Sequence, residues 1–518
     1  MSWRKSTAAT RGKNMRRRVD WVITLAPFTT VLALCVLFAV RPVAANEILL
    51  KVRHMLGNTF GVWYLAVGFF FFLVSLYIAF SRYGEIVLGD AGEGPRYSFP
   101  AWGAMMFTCG LAADILFYSF SEWISYACDL HIGEMGKVQD WAGVYPMFHW
   151  GFIPWSFYLV LAVAFGFMLH VRKCRRHRYS EACRPLIGAR ADGICGRMID
   201  LLAVFSLLAG TATTFGVATP LISEFVLQIT GLHASRLVVD EIILTLTFVT
   251  YTSVLLKKAR GISRLADACM GLFVILLGYV LLFSGQTRYI LETGFQSFGT
   301  MIQNFPELAT FTDPLRKTAF PQNWTIYYWA YWMVWCVAAP FFIGSISKGR
   351  TVRQTILGGY VFGGGATLLS FIILGNYSMG LQMSGAADFI GQFKKSGDIY
   401  GVIVSIVRTL PCPELVMLLV IVTMIAFYAT SFDSIAYTAS CYSYRKLDDG
   451  QEPSMLIQFM WCVLLIVFPV ALLFSRSSMA NLQSISIITA FPLSLILSAI
   501  VVSFLKDAGN FLKKHSDS

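Results

Sequence analysis

The chain has 518 residues, of which 56% are hydrophobic and 14% charged, and its formal net charge is +12. This composition is typical of a membrane protein with many spans and excludes a large soluble core. The basic residues concentrate in a few connections between apolar runs, a pattern that the positive-inside rule explains and that excludes a nucleic-acid-binding surface.

Hydropathy along the chain predicts an all-α polytopic membrane protein with about twelve transmembrane helices. Residues 1–19 form a basic segment that we expect to lie in the cytoplasm. The apolar run after this segment is about twenty residues long and more spans follow, unlike a cleaved signal peptide. The C-terminus is then cytoplasmic as well. The predicted spans are 20–41, 60–82, 99–127, 147–171, 198–229, 237–256, 265–286, 323–346, 354–377, 411–441, 455–475 and 482–505.

The connections between the spans agree with this topology. The connection from the fourth to the fifth span is rich in basic residues from Arg172 to Arg197, which places it in the cytoplasm and the protein in the cytoplasmic (cell inner) membrane. Residues 287–322 contain an apolar, partly helical stretch that we expect to lie along the membrane surface. Residues 506–518 form a short cytoplasmic tail.

The third span carries an acidic residue, Asp114, shortly after small residues around Gly110. Small residues allow the backbone to unwind, and non-helical backbone at membrane depth is tolerated only where it lines a cavity. An ionisable group at that depth is a functional-site hypothesis. The alternative is a carboxylate that caps a broken helix or pairs with a neighbouring hydroxyl.

The eighth span begins with an aromatic run, residues 323–335, that no charge interrupts. At helical spacing its members Tyr328, Tyr331, Trp332 and Trp335 share one face. Such a face attracts a quaternary ammonium group by cation–π contact, at about 0.5–2 kcal/mol per ring. The alternative is an aromatic packing seam.

Two further spans carry polar or aromatic clusters. Trp150, Trp155 and Tyr158 open the fourth span, either as part of a binding box or as an interfacial belt. Thr430 and Ser431 lie deep in the tenth span, where hydroxyl oxygens suit Na⁺ or a proton relay. Their alternative is hydrogen bonding back to the preceding turn.

These motifs resemble those of the betaine/choline/carnitine transporter (BCCT) family. Residues 323–332 are similar to its aromatic signature and residues 346–353 to the loop after that helix. His149-Trp150-x-x-x-Pro154-Trp155-x-x-Tyr158 and Thr430-Ser431-x-Asp433-Ser434 resemble its fourth-helix and tenth-helix motifs.

The resemblance implies a LeuT-like 5+5 inverted repeat that binds substrate at the midplane and works by alternating access. The repeats would be residues 99–286 and 323–505, preceded by two peripheral helices within 20–98, in a protein that is typically a homotrimer. The implied substrate site consists of Asp114, Trp150, Trp155, Tyr158, Tyr328, Tyr331, Trp332 and Trp335. The implied ion site consists of the Thr430 and Ser431 hydroxyls and backbone carbonyls near Thr108, Leu111 and Phe427.

The chain also departs from the family pattern. Tyr331 replaces a Trp, and Leu111-Ala112-Ala113 replaces a more Gly-rich stretch, so a break there is less favoured. Several stretches resemble the carnitine/γ-butyrobetaine exchangers most. Those exchangers have Met and Arg where this chain has Ala339 and Ser263, which favours transport coupled to Na⁺ or H⁺ over exchange.

The choice of substrate depends on Asp114. Betaine carriers of the family tend to have Gly there and choline carriers Asp. A second anion would repel zwitterions in a low-dielectric site, whereas choline would neutralise it. We therefore expect a choline transporter, with carnitine, γ-butyrobetaine or glycine betaine as alternatives and no cofactor besides the coupling ion.

Two other classes of protein fit the sequence less well. A passive channel needs a continuous file of polar residues, and the polar clusters here are isolated. A membrane enzyme needs a nucleophile–base pair or a metal cluster. The chain has seven His, no H-E-x-x-H and no C-x-x-C.

Overall fold

The computed structural model describes residues 19–90, 92–174, 176–257, 262–445, 453–474 and 479–516. Nearly all of this part of the chain is helical, and its β-structure is limited to the isolated bridges Val19–Tyr444 and Val87–Thr351. The predicted all-α class is confirmed. Almost all of the basic N-terminal segment, residues 1–18, lies outside the described residues.

The α-helices of the described residues are numbered in chain order. They are α1 Trp21–Val40, α2 Pro42–His54, α3 Gly61–Phe80, α4 Phe99–Cys109, α5 Ala113–Ala127, α6 Leu130–Met135, α7 Val138–Trp141, α8 Val144–His149, α9 Phe152–Gly166, α10 Tyr179–Ala182, α11 Arg184–Ile187, α12 Ile194–Thr230, α13 Arg236–Lys257, α14 Ile262–Phe283, α15 Thr287–Gln303, α16 Phe305–Thr310, α17 Ile326–Trp335, α18 Ala339–Ile346, α19 Val352–Gly358, α20 Gly365–Ser370, α21 Asn376–Met383, α22 Phe389–Ser396, α23 Ile399–Arg408, α24 Pro413–Tyr442, α25 Met455–Phe474 and α26 Met479–Ser516.

Short π-helical and 3₁₀ segments join some of these helices. The π-helical segments are Met55–Thr59, Phe167–Val171, Pro321–Thr325, Gly359–Gly364 and Phe371–Gly375, and the 3₁₀ segments are Arg82–Glu85 and Gly188–Asp192.

Within the described residues, seven helical segments are by themselves long and apolar enough to cross a membrane, and three bent helix pairs raise the number to ten. The seven are Trp21–Val40, Gly61–Phe80, Val138–Val171, Ile194–Thr230, Val352–Met383, Pro413–Tyr442 and Gln483–His515. Helices α13 and α25 occupy the positions of the predicted sixth and eleventh spans. The number twelve stays a prediction, as does the division into two repeats.

The third and eighth spans are both broken. Helices α4 and α5 meet at a bend of 63°, and the segment Pro321–Trp335 meets α18 at 56°. At the first break Ala112 is extended, and the Leu111 N–H turns back to the Thr108 carbonyl at 3.1 Å. At the second break the Tyr179 hydroxyl donates to the Cys336 carbonyl at 2.6 Å. Each break therefore keeps a partner for backbone groups that a continuous helix would have paired.

Two of the predicted segments outside the repeats are helical. Helix α15 leaves the preceding helix at 110°, a direction compatible with the predicted surface segment, whose contact with the membrane stays a prediction. Helix α26 continues through the described part of the predicted tail 506–518 to Ser516, and the cytoplasmic location of this tail stays a prediction. Phe511 of that last part packs against Phe167, with ring centroids 5.6 Å apart.

Helices α9 and α18 pack very closely beside the second break. A Cβ atom added to Gly344 would lie 2.8 Å from the Gly166 nitrogen, so both helices need a small residue at the crossing. Beside it, the rings of Phe165 and Phe341 stack at 3.8 Å. This contact fixes α18 against the fourth span and holds the two broken spans around one space.

Candidate functional site

A cavity of about 420 Å³ lies between the two helix breaks. Its wall includes one carboxylate, Asp114, and no lysine or arginine among the described residues. The lining residues are Thr108, Cys109, Gly110, Leu111, Ala112, Asp114, Trp150, Tyr158, Cys269, Tyr331, Trp332, Trp335, Ala338, Ala339, Phe342, Phe427, Thr430, Ser431, Ile435 and Tyr437.

Asp114 stands in the first turn of α5, directly after the break, and is only 1% exposed. The positive end of the helix dipole favours a carboxylate at this position. Asp114 Oδ2 accepts a hydrogen bond from the Tyr331 hydroxyl, which also contacts the Thr214 hydroxyl. Asp114 Oδ1 has no hydrogen-bond partner among the described residues. Tyr331 thus holds Oδ2, while Oδ1 is buried near the first backbone N–H groups of α5.

Four aromatic residues form walls of the same cavity: Trp150, Tyr158, Trp332 and Trp335. The ring of Trp332 lies 4.8 Å from that of Tyr158 and 5.6 Å from that of Trp150. Its indole Nε1 is buried without a hydrogen-bond partner among the described residues. Flat, electron-rich faces next to one carboxylate are the surroundings that a quaternary ammonium group prefers.

The other two residues of the predicted box lie behind these walls. Trp155 is fully buried, and its indole N–H donates to Thr367 Oγ1 at 3.2 Å. Its ring lies 5.8 Å from that of Trp332, so it supports that wall from outside the cavity. Tyr328 is one turn away from the cavity and stacks on His149 at 4.8 Å. Direct substrate contact by Trp155 or Tyr328 stays a prediction.

The five residues of the predicted ion site line the same cavity, namely Thr108, Leu111, Phe427, Thr430 and Ser431. The Thr430 hydroxyl donates back to the carbonyls of Ala426 and Phe427, at 3.2 and 3.1 Å. The Thr108 hydroxyl likewise donates to Met105 at 2.9 Å. For Thr430 this is the alternative geometry, hydrogen bonding back to the preceding turn, and ion binding by these residues stays a prediction. The side chains of Asp433, Ser434 and Ser263 lie outside those that the structure describes.

Glu122, a buried acid that the sequence motifs do not include, is 2% exposed and lies two turns beyond Asp114 on α5. Its Oε2 accepts a hydrogen bond from the indole N–H of Trp150 at 2.8 Å. The rule that singled out Asp114, an acid within an apolar span, applies equally to Glu122. Its partner Trp150, 28 residues further on, could not be found from spacing.

Taken together, the cavity can hold a small organic cation against aromatic faces and can offer its hydroxyl group an acceptor. The cavity lies at the breaks of two spans. Binding followed by passage through the membrane is therefore the chemistry that this arrangement supports, and it requires no covalent step.

Comparison with known proteins agrees with the geometry. Residues 22–511 match the model of the BCCT, betaine/carnitine/choline family transporter. The chain is also similar to a protein of Acinetobacter baumannii named "Carnitine transporter", with 27% identity over 424 residues, which cover 81% of this chain and 76% of that one. The chain therefore belongs to the betaine/carnitine/choline family and is a multi-pass membrane transporter of quaternary ammonium compounds.

Proposed function

We propose that the protein takes up choline across the cytoplasmic membrane as a secondary active transporter that works by alternating access. The observation that carries this proposal is Asp114, the one carboxylate in the described lining of a cavity walled by Trp150, Tyr158, Trp332 and Trp335. Choline brings one positive charge for this carboxylate and one hydroxyl group that can donate to it.

Electrostatics favours choline over zwitterionic relatives of the same size. A betaine or carnitine molecule would place its own carboxylate in a water-poor cavity where Asp114 already supplies a negative charge. Like charges in such a medium repel strongly. No lysine or arginine among the described lining residues offsets that repulsion.

Carnitine is the second candidate, because the similar protein of Acinetobacter baumannii carries that name. A carnitine molecule would fit if the Asp114 carboxyl group were protonated when carnitine binds. The carnitine hydroxyl and the neutral carboxyl group would then pair without repulsion. Direct comparison of the two substrates separates these proposals.

We further propose that a cation gradient, of Na⁺ or H⁺, drives uptake. The Thr430 and Ser431 hydroxyls lie in the cavity wall on α24, opposite the unwound residues of the third span. We expect Thr430→Ala to lose its response to the coupling gradient while still binding substrate. A variant that keeps its full response to both gradients would exclude this ion site.

The test of substrate choice is counterflow in proteoliposomes at fixed membrane potential, with labelled choline, carnitine and glycine betaine. Trans-stimulation identifies a carrier, and neither a channel nor an enzyme shows it. We expect choline to be preferred by the wild type, and Asp114→Gly to shift the preference toward betaine. An unchanged ratio of choline to betaine uptake would exclude Asp114 as the selector.

We also propose that the protein is a homotrimer and that both of its termini lie in the cytoplasm. Light scattering of the detergent-solubilised protein measures the first, and protease access in oriented vesicles measures the second.

A further inference from the structure

A buried chain of hydrogen bonds lies directly behind the Trp150 wall. Glu122 accepts from the Trp150 indole at 2.8 Å through Oε2, and its Oε1 is bonded to the Tyr126 hydroxyl. That hydroxyl lies 2.6 Å from His149 Nδ1, and His149 Nε2 lies 3.0 Å from the Thr325 hydroxyl. The chain connects α5, the end of α8 and the π-helical turn before α17, the three elements that carry or support the aromatic walls.

When Glu122 is ionised, every proton of this chain points toward it. Thr325 donates to His149 Nε2, His149 Nδ1–H donates to the Tyr126 oxygen, and Tyr126 donates to Glu122. Trp150 donates from the other side. The buried carboxylate then has four consistent hydrogen bonds behind it, yet none of the described residues bonded in the chain is a lysine or arginine. Neutral His149, whose Nδ1 lies 3.7 Å from Oε1, gives the carboxylate no counter-charge in this state, and a buried charge without one is costly.

The same atoms accept one more proton when the three hydrogen bonds from Glu122 to Thr325 reverse, while the Trp150 N–H still donates to Oε2. Glu122 then donates to Tyr126, Tyr126 donates to His149 Nδ1, and His149 Nε2–H donates to Thr325. The Thr325 hydroxyl hydrogen turns away. The two states differ by a single proton, which leaves or enters at the Thr325 end, and no heavy atom needs to move.

We propose that Glu122 is a proton-binding counter-charge that acts on the substrate through Trp150. This proposal rests on the proposed quaternary ammonium site. Ionised Glu122 pulls on the Trp150 N–H and makes the indole face in the cavity more negative, which strengthens its attraction for a cation. Protonated Glu122 removes that charge. A proton and a quaternary ammonium ion therefore compete, although the proton binds to Glu122 at the indole N–H and the ammonium ion binds at the indole face in the cavity.

Other titratable groups surround this site, and the test includes a variant of one of them, Asp114. The rings of Tyr118, Tyr145 and Tyr328 contact Trp150, Tyr126 and His149, respectively, at 5.5, 6.0 and 4.8 Å. Tyrosines stay neutral over the working pH range. Asp114 is the other buried carboxylate on α5 and borders the same cavity. It is the competing source of any pH dependence.

The experiment measures the dissociation constant of choline by calorimetry between pH 5 and 8, using the purified full-length protein. The neutral isostere 3,3-dimethylbutan-1-ol is measured in parallel. For the wild type we expect choline affinity to fall with decreasing pH, by about tenfold in total as Glu122 takes up its proton. The isostere should show no such slope, because it carries no charge.

Glu122→Gln keeps an acceptor for Trp150 but cannot ionise. We expect it to bind choline about tenfold more weakly at pH 8 and to lose the pH slope, while its affinity for the isostere is unchanged. Asp114→Asn should retain the slope. The matched control is Glu134→Gln, the same substitution at an exposed residue of α6, which should resemble the wild type.

Calorimetry of the wild type in two buffers of different ionisation enthalpy provides a test that needs no variant. Proton release upon choline binding supports the proposal, and binding without release overturns it. A Glu122→Gln protein with wild-type affinity and slope also overturns it, as does a slope that disappears only in Asp114→Asn. A wild type that binds no quaternary ammonium compound at any pH overturns the proposed function and this inference together.

Discussion

Trp332 is the residue at which the aromatic walls meet, since its ring lies within 6 Å of those of Trp150, Trp155 and Tyr158. We expect Trp332→Leu to weaken choline binding by about 2 kcal/mol, or about thirtyfold, because leucine keeps an apolar side chain and removes the ring quadrupole. Equilibrium binding of labelled choline measures the change.

The control for Trp332→Leu is Trp21→Leu in α1, because the Trp21 side chain is 44% exposed and lies outside the cavity lining. This control should bind as the wild type does. If Trp332→Leu bound choline with wild-type affinity, the aromatic run would be a packing seam and the box would have to be abandoned.

At the scale of residues, the sequence indicated individual functional side chains but not which of them form hydrogen bonds with each other. Asp114 and Trp332 stand out because a charge or a dense aromatic run in an apolar span is unusual. The hydrogen bond from Tyr331 to Asp114 joins residues that are 217 positions apart and lie on different broken helices. No local periodicity predicts such a contact, and the same holds for Glu122 and Trp150.

Two glycines position Trp155 from neighbouring elements. A Cβ atom at Gly363 would lie 2.2 Å from Trp155 Cη2, and one at Gly110 would lie 2.7 Å from Trp155 Cζ2. We expect Gly363→Ala to displace Trp155, to lower the melting temperature and to weaken substrate binding, because a buried Trp cannot yield without disturbing the wall it supports. Thermal unfolding in detergent, with and without choline, measures both effects.

Gly365→Ala is the matched control for Gly363→Ala, since a Cβ atom there meets nothing within 4 Å. Alanine also favours the helix that begins at this residue, so the control should be neutral or slightly stabilising. Equal losses in the two variants would show that the helix itself, and not Trp155, requires glycine.

Arg178 fixes the basic connection between the fourth and fifth spans to the end of α24. It pairs with Asp200 at 3.1 Å and donates to the carbonyls of Tyr442 and Tyr444 at 2.7 and 2.6 Å. Arg178→Met would leave a buried carboxylate unpaired, and we expect a loss of about 3–5 kcal/mol in the free energy of unfolding. Chemical denaturation in detergent measures it.

Arg184→Met is the comparison for Arg178→Met, because Arg184 is partly exposed and pairs with Glu181 and Asp192. Surface ion pairs contribute about 0–1 kcal/mol, so this variant should lose much less. Similar losses in the two variants would contradict the assignment of Arg178 as the buried anchor.

The ion pairs of Asp192 with Arg176 and Arg184 lead to a prediction for the pH dependence of stability. Hydrogen bonds from Arg184 and Arg176 lower the pKa of Asp192 below its usual value. A lowered folded-state pKa stabilises the fold above the unfolded pKa of about 4, and this stabilisation disappears as the pH falls through the lowered value. We expect the difference in stability between the wild type and Asp192→Asn to stay constant from about pH 8 to pH 5, and to be below about 1 kcal/mol. A difference that changes within this range would show that another group controls it.

At the scale of elements, the break in the third span was expected more readily than the break in the eighth. Gly110 and the small residues near it mark the first break in the sequence. Residues 336–338, Cys-Val-Ala, carry no glycine or proline, and the signal for the second break is Pro340, which has no N–H to donate to the Cys336 carbonyl four residues earlier. Spacing does not predict the replacement donor, the Tyr179 hydroxyl, which reaches the Cys336 carbonyl from a distant connection.

In the whole molecule, the cavity continues along α18 and α24 toward the ends that carry the basic residues Lys348 and Arg445. Its lining there includes Ala339, Phe342 and Tyr437. On the opposite side, Tyr118 and Tyr328 close the space above the aromatic walls and are both buried. We therefore expect this conformation to be open to the cytoplasm.

Cysteine labelling tests that orientation. Ala339→Cys, in a background where all eleven native cysteines are replaced by serine, should react with an impermeant maleimide in inside-out vesicles and not in right-side-out ones. Choline should protect it. Labelling only from the outside would reverse the assignment.

The contact between Asp114 and Tyr331 has a consequence for the history of the family. A tryptophan at position 331 has no hydroxyl to give to a carboxylate, and a buried carboxylate at position 114 would then lose its side-chain donor. Relatives with aspartate at the position of Asp114 should therefore carry tyrosine at that of Tyr331. Tyrosine without aspartate is tolerated, because its hydroxyl still contacts Thr214. Tyrosine should therefore have appeared before aspartate or together with it, and lineages with aspartate but without tyrosine should be rare.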